Sequence, residues 1–197
     1  MVLTINEIKV ISYLWRHYQE QLSINGLARQ TGITPKGAYK MLKKLEEDSI
    51  VIKKTIANAD IYSLNFNNSK TEDLVKYALK SEPSPNLYVK VLQKDLEPLH
   101  KQADALIIFG SAVTKGLQAD DIDVLIILNQ KNTAQLQSSI RNVESIIPKK
   151  IHPVFQTKVD LSKNLRKKDP VIIAAIQTGF ILWGFDILYK LIKNDTS

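Results

Sequence analysis

The sequence predicts an α+β chain of two domains: three helices with a two-stranded hairpin, then a small α/β domain on a mixed sheet. Three observations carry this reading. Helix-start signals followed by apolar stripes at helical spacing fill the first fifty residues. Two β-rich runs separated by a turn come next. In the second half, two apolar runs at 105–109 and 124–128 read as buried strands. The chain has 197 residues, room for one or two domains at roughly 100–150 residues each. With 44% hydrophobic residues and only 7 Gly and 7 Pro, it can bury a core and is not low-complexity. It contains no cysteine, which excludes a disulfide scaffold, a zinc-thiolate centre and a thiol nucleophile.

Each element has a local cause. Thr4 and Glu7 have capping-box spacing and start a helix near Ile5, with Ile8, Ile11, Leu14 and Trp15 on one face. Ser23 starts a second helix through Leu27 and Ala28, which Gly32 stops. Thr34-Pro35 starts a third, because proline at the first helical position loses no hydrogen bond. Ala38, Met41, Leu42 and Leu45 form its apolar stripe. The short Thr31-Gly32-Ile33 link forces a sharp angle between the last two helices, the geometry of a helix-turn-helix. Residues 50–55 and 61–64 read as strands of a hairpin around a turn at 57–60, so the unit reads as a winged helix-turn-helix over 1–66. The stretch 23–34 resembles the winged-helix domains of bacterial and archaeal transcription regulators. The third helix is then the expected reader of duplex DNA. Lys36, Tyr39, Lys40, Lys43 and Lys44 lie off its apolar stripe, and Lys53 and Lys54 sit on the wing, where lysines neutralise phosphates. No arginine on the helix offers a bidentate contact to guanine.

Residues 67–102 read as a helical connector: a helix at 71–80, a break at Ser81-Glu82-Pro83-Ser84-Pro85, and a helix at 87–100. The third segment, 103–197, carries the chemistry. The strand at 105–109 ends in Gly110-Ser111, and nine residues later Asp121-Ile122-Asp123 opens the next strand. Strand alternation puts Asp121 and Asp123 on one face. Two adjacent carboxylates repel unless a cation sits between them, and Mg²⁺ is bound by a few carboxylates plus substrate phosphates. Gly110 lets backbone approach a phosphate, and the Ser111 hydroxyl can donate to its oxygens.

Gly110-Ser111-x9-Asp121-Ile122-Asp123 between two apolar strands resembles the signature of the nucleotidyltransferase superfamily, nearest to its minimal, kanamycin-nucleotidyltransferase-like group. The resemblance implies a metal-dependent transfer of a nucleoside monophosphate from an NTP, expected to be ATP, to an acceptor. It assigns Mg²⁺ or Mn²⁺ to Asp121 and Asp123, and the nucleotide's phosphates to Gly110 and Ser111, with Lys115 assisting. A helix at 169–176, Gly179 and a strand at 180–183 fit the end of such a domain.

The chain departs from that pattern. Asp120 stands where the family often has serine, and either raises its neighbours' pKa or faces solvent. The family's third carboxylate is missing: the next strand, 151–157, has no Asp or Glu, and none occurs between Glu144 and Asp160. His152 or Gln156 can face the site instead, and His152 reads equally as an ordinary half-buried histidine. The alternative function is therefore a DNA-binding transcription regulator whose second domain is an inactive nucleotide sensor or dimer module, with a homodimer compatible with either. His17, His100 and His152 lack metal-ligand spacing, so no zinc site is expected.

The start of the chain lacks the basic, apolar pattern of a signal peptide. The longest charge-free stretch, 170–185, falls short of the ~20 residues of a spanning helix, so a soluble, cytoplasmic protein with no membrane partner is expected. The net charge of +7 points to an anionic partner. Its largest local share lies in 149–168, where Lys149, Lys150, Lys158, Lys163, Arg166, Lys167 and Lys168 face only Asp160. An anionic acceptor or partner is therefore expected to meet the second domain.

Overall fold

The computed structural model of the protein describes residues 3–128 and 133–196. The chain divides into two compact units, one ending at Glu82 and the other beginning at Pro83. The first holds α1 (Ile5–Arg16), β1 (Leu22–Ser23), α2 (Ile24–Thr31), α3 (Pro35–Glu47), β2 (Val51–Ile56), β3 (Ala59–Leu64) and α4 (Ser69–Lys80). The caps sit where the sequence places them. The Thr4 hydroxyl accepts from Glu7 N–H, and the Glu7 carboxylate accepts from Thr4 N–H at 2.8 Å. Ser23 accepts from Gly26 N–H, Thr34 from Gly37 N–H, and Gly32 ends α2 in the left-handed region at φ 69°. Ile11, Leu14, Trp15, Leu27, Ala38, Leu42 and Leu45 are buried together with Val75 and Ala78 of α4. Burying such leucines is worth about 1.5–3 kcal/mol each, which outweighs the low helix propensity of the glycines in α2 and α3.

The wing is a two-residue hairpin. Ile56 pairs with Ala59, and Ala57 and Asn58 both take positive φ, 46° and 65°, as a type I′ turn requires. The turn is thus tighter than the four residues expected at 57–60. A strand the sequence reading missed, β1, pairs with β3 on the side away from β2. It is only two residues long, too short for any alternation pattern. Three helices, a sharp α2–α3 turn and the hairpin make a winged-helix arrangement.

The stretch 67–102 does not stand apart as a connector. Helix α4 packs on α1, and the buried Arg16 at the end of α1 meets Glu82 beyond α4 at 2.6 and 3.3 Å through two guanidinium nitrogens. The following segment belongs to the second unit. The helix expected over 87–100 is α5 (Leu87–Asp95) followed by a 3₁₀ turn (Glu97–Lys101), because Pro98 cannot continue the α-helical ladder.

The second unit is a four-stranded mixed sheet with helices on both faces. Its elements are β4 (Ala103–Phe109), α6 (Ser111–Lys115), β5 (Ile122–Leu128), α7 (Thr133–Glu144), β6 (Ile151–Gln156), α8 (Lys158–Arg166), α9 (Pro170–Thr178), β7 (Phe180–Trp183) and α10 (Phe185–Asp195). Strand order is β6-β5-β4-β7. The β4/β5 and β4/β7 pairs are antiparallel, and β5/β6 is parallel through the α7 crossover. Leu106, Ile108, Val124 and Ile126 share one core with Val89, Leu92 and Leu96 of the α5 region and with Leu136 and Ile140 of α7. The alternate residues Ala105, Ile107, Leu125 and Ile127 are also fully buried, on the face covered by α8, α9 and α10. Burial on both faces explains the unbroken apolar runs of the two central strands.

Glu7 links capping to pH. Burial alone would raise its carboxyl, but the Thr4 N–H and the Lys44 ammonium at 3.0 Å hold it below the ordinary glutamate value. A depressed carboxyl binds fewer protons in the folded state. Its stabilisation is therefore full above the ordinary value and is lost as pH falls through the depressed one. Glu7→Gln is expected to lower the stability of the first unit at pH 7 by roughly 0.3–1.5 kcal/mol. Urea denaturation of the full chain should show this gap at pH 7 closing as the pH is taken below the carboxylate range; a gap independent of pH would contradict it.

Candidate cation and phosphate site

The site lies at the sheet end where β4 finishes and where β5 and β6 begin. The ladder places its parts: Asp123 pairs with Phe109 on one side and with His152 on the other. Gly110-Ser111 follows Phe109 directly, and Asp121 precedes β5 by one residue. Asp121, Asp123 and His152 each offer a ligand atom, and these atoms lie within 4.8 Å of one another. The His152 Nδ1 is 3.0 Å from Asp121 Oδ2. Ile122, between the two acids, is fully buried on the opposite side, as alternation requires.

Local chemistry supports a ligand here. Gly110 takes φ +70°, and a Cβ there would stand 2.4 Å from Asp123 Oδ2. Only glycine lets the turn run this close to the carboxylate. The Ser111 Oγ is buried without a hydrogen-bond partner, an arrangement that leaves a donor for a bound group. Burial raises the Asp123 carboxyl above its ordinary value; the Asp121 charge adds to this and His152 opposes it. A cation would relieve the repulsion between the two acids. The donor set thus fits a divalent metal with phosphate oxygens beside it.

The structure shows which residues stand where the resemblance implies a third carboxylate. The position facing Asp123 on β6 is His152. The acids flanking that strand have structural work: Glu144 accepts from Ile151 N–H at 2.8 Å, and Asp160 forms a capping box with Thr157 at the start of α8. Gln156 is four residues further along β6, opposite Ile127, and accepts from Asn164 at 2.8 Å. It is not part of the site. Asp120 is exposed to solvent. Lys115 ends α6, exposed, and forms no ion pair or hydrogen bond with Asp121, Asp123 or His152. The segment after Ser111 is helical, α6 and a 3₁₀ turn (Gly116–Gln118), rather than an open loop.

On the third helix of the first unit, Lys36, Tyr39, Lys40 and Lys43 are exposed, at spacings that place them along one side. Lys44, Lys53 and Lys54 are exposed as well, but the Lys44 ammonium lies 3.0 Å from Glu7 and, on the wing, Lys53 stands 3.6 Å from Asp60. In 149–168 the charge is also partly absorbed. Lys149 donates to the Leu117 and Ala119 carbonyls, Lys158 pairs with Asp104 at 2.7 Å, and Arg166 lies 3.9 Å from Asp195. Lys150, Lys163, Lys167 and Lys168 remain exposed.

No protein-family model matches the chain. A search of curated proteins finds no match either. Among solved structures, MepR, a transcription regulator of the Staphylococcus aureus multidrug efflux pump MepA, aligns over 73% of this chain and 79% of its own length, at 14% identity and a TM-score of 0.36. A score this low does not establish a shared fold, and the winged-helix description rests on the elements themselves. Among the described residues, no helix is long and apolar enough to cross a membrane.

The Gly110–Asp123 approach generates a coupled prediction. Gly110→Ala forces a side chain into positive φ and against the carboxylate, and is expected to cost roughly 1–3 kcal/mol. Asp123→Ala in the same chain should recover part of that loss, because the obstructing oxygen is gone. Thermal denaturation of the two single variants and the double variant measures the coupling; strictly additive losses would mean that the two residues do not meet.

Proposed function

We propose that the protein is a DNA-binding regulator: the winged helix grips duplex DNA, and the second unit holds a metal-bound nucleotide that informs it. The observation that carries the DNA part is the row Lys36, Tyr39, Lys40 and Lys43 on α3, exposed on the helix that follows the sharp turn. Three lysines there neutralise phosphates, and the tyrosine hydroxyl can bond to a phosphate oxygen. Lys54 on the wing extends the contact to flanking backbone. Lys44 and Lys53 contribute less, since each already faces a carboxylate.

For the second unit, Asp121 and Asp123 would hold the cation, while Gly110 and Ser111 would seat phosphate oxygens. A bound divalent metal supplies charge neutralisation on those phosphates. The ladder on both sides fixes the backbone of Asp123, so its carboxylate starts from a set position at the site. Nucleotidyl transfer to an acceptor is the second reading, favoured by the same Gly-Ser and Asp-x-Asp placement. It needs a base, and β6 supplies an imidazole where the resemblance calls for a carboxylate.

Gel shifts on duplex DNA over a salt series test the first reading. Lys36→Ala, Lys40→Ala and Lys43→Ala should each weaken binding uniformly across sequences and reduce the slope of log K against log salt by about 0.9. Lys44→Ala should change it less. Absence of salt-dependent binding would refute DNA recognition. For the second unit, Asp121→Ala with Asp123→Ala should abolish metal-dependent ATP binding in calorimetry with the circular dichroism unchanged, and incubation with labelled ATP and candidate acceptors separates sensor from transferase.

A further inference from the structure

We infer that His152 is the third ligand of a cation site with Asp121 and Asp123, and that this site prefers first-row transition metals such as Mn²⁺ and Zn²⁺ to Mg²⁺. The inference rests on the metal-nucleotide reading of the same pocket, and its test uses cations alone so that the two can fail separately.

The placement is built by backbone. His152 and Asp123 are laddered neighbours on parallel strands, and Asp121 is two residues before Asp123 on the same side. Ile122 N–H donates to the Lys150 carbonyl at 2.9 Å, and Glu144 holds Ile151 N–H. These two bonds fix the start of β6 against β5, immediately beside the cluster. Ligands of one ion with bonds of about 2.0–2.2 Å can stand no more than about 4.4 Å apart. Neighbouring ligands on one ion stand closer, about 3.0–3.6 Å apart, so the three atoms, all within 4.8 Å of one another, close on an ion through side-chain rotation of up to about 1–2 Å. The ladder itself need not move.

The donor set then decides the ion. Mg²⁺ takes oxygen ligands in a strict octahedron and gives up its waters reluctantly. Imidazole nitrogen suits zinc, iron, nickel and copper, and affinity at a mixed N/O site rises along the series from Mn²⁺. Exchanging the expected carboxylate for imidazole also removes one negative charge, which weakens a hard cation most. The side chains of His152 and Asp121 keep 56% and 34% of their exposure, so the outer side of the ion stays open to water or phosphate oxygens. The competing explanation of the 3.0 Å contact is a plain His152–Asp121 pair, and the variants below tell the two apart.

Calorimetry of the full chain with Mn²⁺, Zn²⁺ and Mg²⁺, each without nucleotide, is the first measurement. Mn²⁺ and Zn²⁺ should bind at least about tenfold more tightly than Mg²⁺. His152→Ala should remove most of that preference while leaving Mg²⁺ nearly unchanged, and His152→Asp should shift the preference toward Mg²⁺. Pulsed electron paramagnetic resonance of bound Mn²⁺ should show nitrogen coupling in the parent chain and none in His152→Ala. Equal affinity for Mn²⁺ and Mg²⁺, no cation binding, or unchanged affinities in His152→Ala would overturn the inference. Mg²⁺-ATP binding in a chain whose Mn²⁺ and Zn²⁺ affinities do not change in His152→Ala would overturn the inference and leave the nucleotide reading standing. Transition-metal binding lost in His152→Ala, in a chain that ignores ATP, would support the inference and refute the nucleotide reading.

Discussion

The second unit depends on the hydrogen-bond ladder that holds β5 between β4 and β6. Because β5 is central, its residues have partners on both sides and are buried on both faces up to the edge of the site. That double pairing fixes Asp123 next to Phe109 and next to His152 at once. Every part of the site follows from it. Gly110 sits against the carboxylate because β4 stops one residue earlier, and the imidazole arrives because β6 starts in parallel register. A slip of one residue in either pairing would turn the facing side chain to the opposite side of the sheet.

The same logic of partners sorts the basic residues. Charge counts treat all lysines alike, but a lysine beside a carboxylate of its own unit is partly neutralised there before it meets a ligand. Lys44 reaches back to Glu7, whose own position is set by the Thr4 cap, so a helix-start signal in α1 weakens one candidate DNA contact on α3. Lys53 is balanced across the wing by Asp60, since the two-residue turn brings β2 and β3 into close register. In 149–168, Lys149 closes carbonyls after α6, while Lys158 and Arg166 face acids of their own unit. Lys158 and Arg166 stay exposed beside their acids, and with Lys150, Lys163, Lys167 and Lys168 they keep a positive surplus on this stretch.

The two halves of the chain illustrate different kinds of stability. In the first unit, caps and short-range ion pairs close helix ends around a small core, and Arg16 with Glu82 ties the end of α1 to the end of the unit. In the second, a sheet covered on both faces carries the burial, and its polar groups gather at one end of the strands. Open positions for ligands arise there because the strand ends are where the helices stop covering the sheet.

The amino-acid sequence by itself determined the local elements: the capped starts of α1, α2 and α3, the stop at Gly32, the two buried strands, and the pairing of Asp121 with Asp123 on one face. These depend on periodicity and on hydrogen bonds between residues three or four apart, which a sequence displays directly. It also showed that the strand after α7 carries no carboxylate. It left His152 and Gln156 as equal candidates, because choosing between them needs the register of β6 on β5, a relation across some thirty residues. It placed α4 and α5 in one connector, because their separate packing depends on contacts with α1 and with the sheet. It missed β1, whose two residues carry no pattern of their own. Only the tertiary structure decided which residue faces Asp123, which lysines are already engaged and why Gly110 must be glycine, since each of these is a distance between segments far apart in the chain.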